Sequence, residues 1–253
     1  MTTIILHGCN GRMGKIIAGL CADDPDATIV AGVDSYAENK NEFPVFARIG
    51  DCDVKADVVI DFSSAGALDD LLDWCVERKV PAVLCSTGYS EEQLRKVEAA
   101  SGQIAVLKSA NMSLGINTLM DLLQKAAKVL APEGFDVEIV ERHHNQKLDA
   151  PSGTALALAD SVNEAMEGCY EYVYDRSGRR EKRGEKELGI SAVRGGTIVG
   201  EHEVIFAGTD EVIKLKHTAY SRAVFGKGAL AAAKFLHGKE KGYFTMKEVI
   251  AEA

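Results

Sequence analysis

The segment that most constrains this chain is Gly8-Cys9-Asn10-Gly11-Arg12-Met13-Gly14, placed directly after the apolar run Thr3-Ile4-Ile5-Leu6-His7 and at the head of a stretch with helical spacing. A strand that feeds a helix through so small-sided a turn commits the chain to a βα start. The pattern then repeats. Residues 29–34, 58–61, 82–85 and 104–107 read as strands, most of them almost continuously apolar, and residues 12–21, 65–78 and 91–101 carry helical spacing. Ser90 followed by Glu91 and Glu92 marks one helix start. Unbroken apolar strands are what a parallel sheet covered on both faces requires, because neither side of the strand meets water. The first half is therefore expected to be a doubly wound, Rossmann-like α/β domain.

Near residue 112 the pattern changes. A helix is expected over residues 114–130, stopped by Ala131-Pro132-Glu133-Gly134. A strand follows over 135–143, then a helix over 152–166. Residues 190–194, 203–207 and 212–218 have β character with Gly-rich turns between them, which suggests a smaller, largely antiparallel or mixed sheet. Residues 223–236 and 246–251 return to helix. No internal repeat or low-complexity segment interrupts the chain, and two domains are expected of its 253 residues.

Composition excludes several classes. A net charge of -9 argues against a nucleic-acid partner, which needs a basic face. The basic run Arg176, Arg179, Arg180, Lys182 and Arg183 is read as a solvated loop. The cysteines (Cys9, Cys21, Cys52, Cys75, Cys85, Cys169) show no metal-ligand spacing, so no metal is expected, and they read as reduced thiols of an intracellular protein. No apolar run is long enough to span a bilayer, and the N-terminus opens into a strand without a targeting segment. A cytoplasmic protein without a membrane partner is expected.

The Gly-rich turn sits where a dinucleotide fingerprint belongs: small residues admit a pyrophosphate to the backbone, and the helix N-terminus offers N–H donors. Its spacing is G-x-x-G-x-x-G, with Asn10 in the middle as a residue tolerant of left-handed backbone. Glycines also serve plain tight turns. Asp34, about twenty residues beyond Gly14 and at the end of the second strand, is placed to accept hydrogen bonds from the adenosine ribose. Its alternative is a turn residue with Ser35. A carboxylate there repels a 2′-phosphate and so favours NADH, with Arg12 and Lys40 the only nearby cations that could offset it.

A second constellation is His143-His144-Asn145-Gln146-Lys147-Leu148-Asp149-Ala150-Pro151-Ser152-Gly153-Thr154. His143 can transfer a proton near neutral pH. His144 and Lys147 offer hydrogen bonds or positive charge to an anion. Free N–H groups of Ser152, Gly153 and Thr154 at a helix start suit a carboxylate. Each piece has a plainer alternative: Ser152 as a helix cap, Lys147 as a surface charge, Asp149 as a turn residue before proline.

These residues resemble the 4-hydroxy-tetrahydrodipicolinate reductase family (older name dihydrodipicolinate reductase). The resemblance covers nearly the whole chain, through Gly11-Arg12-Met13-Gly14, Asp61-Phe62-Ser63, Ser86-Thr87-Gly88, Ala110-Asn111-Met112-Ser113-Leu114-Gly115, the twin-histidine string, the run from Arg194 to His202, and the run from His217 to Arg222. It implies catalytic roles for His143, as proton donor or acceptor, and Lys147, as a second proton donor. It implies substrate-carboxylate binding by His144 with Ser152, Gly153 and Thr154. The cofactor would be lined by Gly8, Cys9, Asn10, Gly11, Arg12, Met13, Asp34, Ser86, Thr87, Gly88, Ala110, Asn111, Met112 and Ser113. The resemblance further implies a dinucleotide domain over 1–112 completed by helices in 223–253, and a smaller α+β substrate and oligomerisation domain over 113–222 that builds a homotetramer. The activity implied is NADH- or NADPH-dependent reduction of a cyclic dicarboxylate imine in lysine and diaminopimelate synthesis, with NADH preferred and NADPH possible.

The chain departs from the family pattern at three points. Ser35-Tyr36 follows Asp34 where many members have arginine, Met112 stands where an aromatic residue is usual, and Cys85 stands where glycine or alanine is often seen. Rival readings are a two-domain sugar or amino-acid dehydrogenase, which would need a different lysine or histidine arrangement, and a dinucleotide-sensing regulator, which would lack the proton-transfer set. Redox sensing through Cys9 is a further alternative, although no partner thiol is evident.

Overall fold

A computed structural model describes residues 1–36 and 41–252. The chain divides into two compact units, Met1–Leu114 with Arg222–Ala253, and Gly115–Ser221.

The first unit begins β1 (Thr2–His7), α1 (Arg12–Ala22), β2 (Ala27–Val33), β3 (Val45–Phe46), β4 (Val58–Asp61), α2 (Leu68–Arg78), β5 (Ala82–Leu84), α3 (Glu91–Ser101) and β6 (Ala105–Lys108). The second contains α4 (Leu114–Leu130), β7 (Asp136–His143), α5 (Gly153–Ala165), β8 (Glu171–Val173), β9 (Glu187–Arg194), β10 (Gly200–Ala207) and β11 (Val212–Ala219). The chain then returns to the first unit as α6 (Ala223–Leu236), β12 (Gly242–Phe244) and α7 (Met246–Glu252).

In the first unit the strands form one sheet in the order β12-β6-β5-β4-β1-β2-β3, parallel at every pairing. The reason its strands are apolar throughout is visible in their alternation. Ile4, Leu6, Val58, Ile60, Val83 and Leu107 enter one core with residues of α1, α6 and α7. Ile5, Val59, Ala82, Leu84 and Val106 enter the other with α2 and α3. Successive side chains point to opposite faces and both faces are dry, so each of the Val, Leu and Ile residues contributes roughly 1.5–3 kcal/mol of burial, where a half-exposed strand would gain it only at every second one. The start of α3 is fixed locally: Ser90 Oγ accepts from Gln93 N at 3.2 Å and Gln93 Oε1 accepts from Ser90 N at 3.1 Å, a reciprocal cap.

The second unit holds a mixed sheet in the order β11-β10-β7-β9-β8. β10 runs antiparallel to β7 and β11, whereas β9 runs parallel to β7 and β8. Along β7 burial alternates with period two, so Val137, Ile139, Glu141 and His143 share the buried face. Val137, Ile139, Leu188, Ile190, Val204 and Phe206 pack there against Leu119 and Leu123 of α4 and Leu158 and Val162 of α5.

Several elements go beyond the sequence expectation. The strands β3, β8 and β12 are two or three residues long, too short to carry a periodic signal. The turn 195–199 does not make a hairpin; it carries the chain from β9 to β10 past the end of β7, which lies between them. The basic run is not simply solvated. Arg176 pairs with Glu138 (2.7 Å) and Glu187, Arg179 with Glu187 (3.1 Å), and Arg183 with Asp136 (2.7 Å) and Glu138 (3.0 Å). Acidic residues spaced two apart on β7 and at the start of β9 created this clamp, and the contact is invisible in the linear charge pattern. Arg180 and Lys182 follow the expectation more closely: Arg180 is exposed and Lys182 is exposed with it.

Candidate active site

In the first unit the expected cofactor residues all lie past the C-terminal ends of parallel strands, the edge where α/β sheets bind ligands. Gly8 to Met13 follow β1, Asp34 follows β2, Ser86 to Gly88 follow β5, and Ala110 to Ser113 follow β6. The left-handed residue of the first turn is Gly8, at φ +81°, and not Asn10, as its middle position had suggested. A Cβ at Gly8 would stand 2.7 Å from the carbonyl oxygen of Phe62, and one at Gly14 would overlap the carbonyl oxygens of Gly8 and Cys9. The turn therefore folds back on itself only because both residues lack side chains.

Asn10 has a different task. Its backbone N–H donates to Asp34 Oδ2 at 2.9 Å, its amide donates to the carbonyl of Tyr36, and its Oδ1 accepts from Asn41 at 3.0 Å. Asp34 Oδ1 accepts from Tyr36 N at 2.9 Å, so this carboxylate braces the turn as well as lining a cavity of about 390 Å³ with Gly8, Gly11 and Ser35. Helix α1 has Gly11 at its N-cap and so no side-chain cap, which suits its first turn to an anion. Glycines that keep the backbone bare, an uncapped helix start and an acidic residue at the next strand end fit a pyridine dinucleotide.

The same cavity is lined by Arg48, a cation that the sequence reading missed because it reaches the site from the segment after β3. Its guanidinium lies 3.2 Å from Asp51 in an exposed pair. Lys40 falls outside the described residues. Cys9, Met112 and Ser113 are buried, so their side chains belong to the protein interior and their backbone is what a ligand could meet. Burial pushes the Cys9 thiol up to about 11, with Asp34 adding to the effect, which leaves little thiolate for the redox role once considered. Ser86 Oγ donates to Asp61 Oδ2 at 2.9 Å, and Asp61 also accepts from Ser63 Oγ at 2.5 Å. Asp61 is buried at the end of β4; these hydrogen bonds and nearby His7 outweigh its desolvation and hold its carboxyl below the usual range.

In the second unit, β7 delivers His143 and α5 delivers the Ser-Gly-Thr start. The ring of His143 is 8 % exposed, and its Nδ1 lies 2.6 Å from Glu141 Oε2. Burial lowers its pKa below the ordinary histidine value; Glu141 opposes the change, and Lys147 and Arg194 reinforce it. Lys147 Nζ is 2.8 Å from Asp149 Oδ1, a pairing that holds Asp149 below the usual carboxylate range. His144 Nδ1 is buried and has no hydrogen-bond partner, a group that a ligand could satisfy.

Ser152 is both a cap and more than a cap. Its Oγ accepts from Ala155 N at 3.1 Å and hydrogen-bonds His202 Nε2 at 2.9 Å. Its N–H donates to Glu141 Oε1 at 3.0 Å, so it is not free for a ligand as expected. Sequence reasoning assigned no role to Glu141, Arg194 or His202. The Glu-x-His spacing on a strand was the available signal for Glu141, since period two puts both side chains on one face. Arg194 and His202 are brought in by cross-strand register, opposite His143 on β9 and opposite Glu141 on β10.

Comparison with known proteins now bears on these two halves. The sequence model described as dihydrodipicolinate reductase, N-terminus, matches residues 2–112, and that described as dihydrodipicolinate reductase, C-terminus, matches residues 115–250. The chain belongs to the dihydrodipicolinate reductase family. It is 53% identical over 250 residues to a 4-hydroxy-tetrahydrodipicolinate reductase of Caldanaerobacter subterraneus subsp. tengcongensis, covering 99% of this chain and 98% of that one. It is 51% identical to the enzyme of the same name from Clostridium tetani, covering 97% and 96%. A dipicolinate-bound dihydrodipicolinate reductase from Paenisporosarcina sp. TG-14 has the same fold, with a TM-score of 0.82 at 24% identity over 98% of this chain and 99% of that one. This family member is an oxidoreductase whose first unit has a Rossmann-like fold.

Proposed function

We propose that the chain is a 4-hydroxy-tetrahydrodipicolinate reductase, which reduces the cyclic dicarboxylate imine to tetrahydrodipicolinate with NADH or NADPH on the route to diaminopimelate and lysine. The observation that carries this reading is the 53% identity over 99% of the chain to an enzyme of that name, with His143 at the end of β7, Gly153 and Thr154 at the start of α5, and the rest of the string in the loop between them.

The dinucleotide is held by backbone of Gly8, Cys9, Asn10, Gly11, Arg12 and Met13, by Asp34, and by Ser86, Thr87, Gly88, Ala110, Asn111, Met112 and Ser113. When bound, it supplies the hydride. The residues of the second unit do the remainder. His144 and the Gly153 and Thr154 backbone hold the substrate carboxylates, and the unsatisfied Nδ1 of His144 supports that role. After the 4-hydroxy imine loses water, hydride addition at ring carbon four sends negative charge toward the ring nitrogen. Lys147 stabilises that charge, and His143 or Lys147 delivers the proton that completes the reduction.

NADH is the preferred donor on this reading, because Asp34 opposes a 2′-phosphate. Equal catalytic efficiency with NADPH would overturn the preference. The protein is read as a cytoplasmic homotetramer assembled through the second unit's sheet; no described helix is long and apolar enough to cross a membrane. The deciding assay supplies substrate from the preceding synthase and follows oxidation of each dinucleotide. Turnover that pyridine-2,6-dicarboxylate inhibits is the expected result. Absence of synthase-dependent oxidation with either nucleotide would end the assignment.

A further inference from the structure

The carboxylate of Glu141 is completely buried on β7, yet three N–H groups and one histidine ring nitrogen converge on it. Oε2 lies 2.6 Å from His143 Nδ1 and accepts from Arg194 Nη1 at 2.7 Å. Oε1 receives Arg194 Nη2 at 2.7 Å and Ser152 N at 3.0 Å. A buried carboxylate is tolerated only when its charge is paired and its lone pairs are filled, and the bidentate guanidinium meets both conditions. An ionised carboxylate can only accept. The ring nitrogen facing it must therefore carry a proton, which places the other nitrogen, Nε2, away from Glu141.

Nε2 lies beside Gly200 at the start of β10, where a Cβ would approach to 3.1 Å. A glycine there leaves that nitrogen uncrowded. The other groups facing the ring are Lys147 from the following loop, Arg194 from β9, and His202 from β10, whose ring stands edge-on at 5.1 Å. His202 is itself held neutral by burial and does not compete for the proton.

We propose that Glu141, clamped by Arg194, is a positioning residue that fixes the proton of neutral His143 on Nδ1 and makes Nε2 the nitrogen that exchanges protons with the substrate. The proposal rests on the reading of His143 as the proton-transfer group. In the cycle, Nε2 takes up from bulk solvent the one proton that the reduction consumes, giving the imidazolium with both nitrogens protonated. Nε2 then releases that proton to the reduced substrate, and Nδ1–H stays on Glu141 throughout. Glu141 stays out of the proton exchange: hydrogen bonds from Arg194, His143 and Ser152 fill its lone pairs, outweigh its desolvation and keep its carboxyl below the usual range.

The test begins with the unmodified full-length protein. Selective ¹⁵N-histidine NMR, with His143 assigned by its disappearance in His143→Gln, is expected to show neutral His143 protonated at Nδ1. Protonation at Nε2 instead would overturn the proposal. Glu141→Gln turns an amide N–H toward a donor and is expected to reverse the tautomer. It should lower kcat about 10²- to 10³-fold and move the alkaline limb of the kcat profile to lower pH, with little change in KM or dinucleotide Kd. A Glu141→Gln variant with the parental kcat and pH profile would also overturn the proposal. Should that variant misfold, Arg194→Lys keeps the cation but only part of the fork, and is expected to keep the Nδ1–H tautomer with a smaller loss of kcat; a reversed tautomer there contradicts the role assigned to Glu141. Because the tautomer is read without turnover, an inactive protein with Nδ1–H would defeat the reductase reading and leave the tautomer assignment standing.

Discussion

At the residue scale, the proposed function divides the His143 segment into groups that carry protons and groups that hold them in place. His143 and Lys147 are the proposed proton carriers, and both have carboxylate partners, Glu141 and Asp149. His143→Ala and Lys147→Ala are each expected to lose about 10²- to 10⁴-fold in kcat, the usual range for a positioned acid or base. Dinucleotide Kd, measured by fluorescence titration, should be unchanged, because the residues proposed to bind it lie in the other unit. A parallel loss of dinucleotide affinity would contradict that division. The candidate string was legible from residue types and spacing. The use of the Ser152 N–H was not, because its acceptor, Glu141, belongs to a different element.

At the scale of elements, glycine positions within α1 make opposite predictions. Gly14 faces the turn, and a Cβ there would overlap carbonyl oxygens that cannot move independently of β1. Gly14→Ala is expected to cost on the order of 3 kcal/mol or more and to abolish dinucleotide binding. Gly19, exposed one turn and more along the same helix, meets nothing within 4 Å. Gly19→Ala should stabilise the protein by roughly 0.5–1 kcal/mol, because alanine loses less backbone freedom. Denaturant titration of the pair checks both signs, and equal effects would refute this view of the turn. Helix limits were well marked in the sequence: 114–130 and 223–236 match α4 and α6 at both ends. The edge strands were not, since β3, β8 and β12 are defined by the neighbour they pair with.

At the scale of the whole molecule, buried titrating groups set the acid limit. Burial holds His202 down to about 4, with the charge of His143 contributing, whereas the unfolded chain protonates histidine near the ordinary value. Its contribution to stability is complete above the ordinary histidine range and is lost as pH falls from there through about 4. Asp61 and Glu141, both lowered in the folded protein, contribute above the ordinary carboxylate range, and their contributions are lost as pH falls through their folded values. Tm is therefore expected to decline on acidification from near neutrality; His202→Asn should flatten the first part of that decline, and an unchanged profile would refute the assignment. The proposed tetramer makes a second prediction. Val140 and Ile205 are partly exposed on the face of the mixed sheet opposite its core. Val140→Glu should reduce the mass measured by light scattering if that face is the interface, and an unchanged tetramer would exclude it.

The sequence by itself determined the parallel sheet, the glycine-rich turn after β1 and the set of side chains gathered between His143 and Thr154. Their signals are local: apolar runs, glycine spacing, and side chains of known chemistry within a few residues of one another. Only the tertiary structure decided that β7 lies between β9 and β10, that Gly8 and not Asn10 takes the left-handed turn, and that Arg48 reaches the Asp34 cavity. It also decided that His143 meets Glu141, which Arg194 clamps. Those facts depend on register between strands distant in the chain, and hydrophobic periodicity fixes which face a residue occupies without fixing which neighbour it meets.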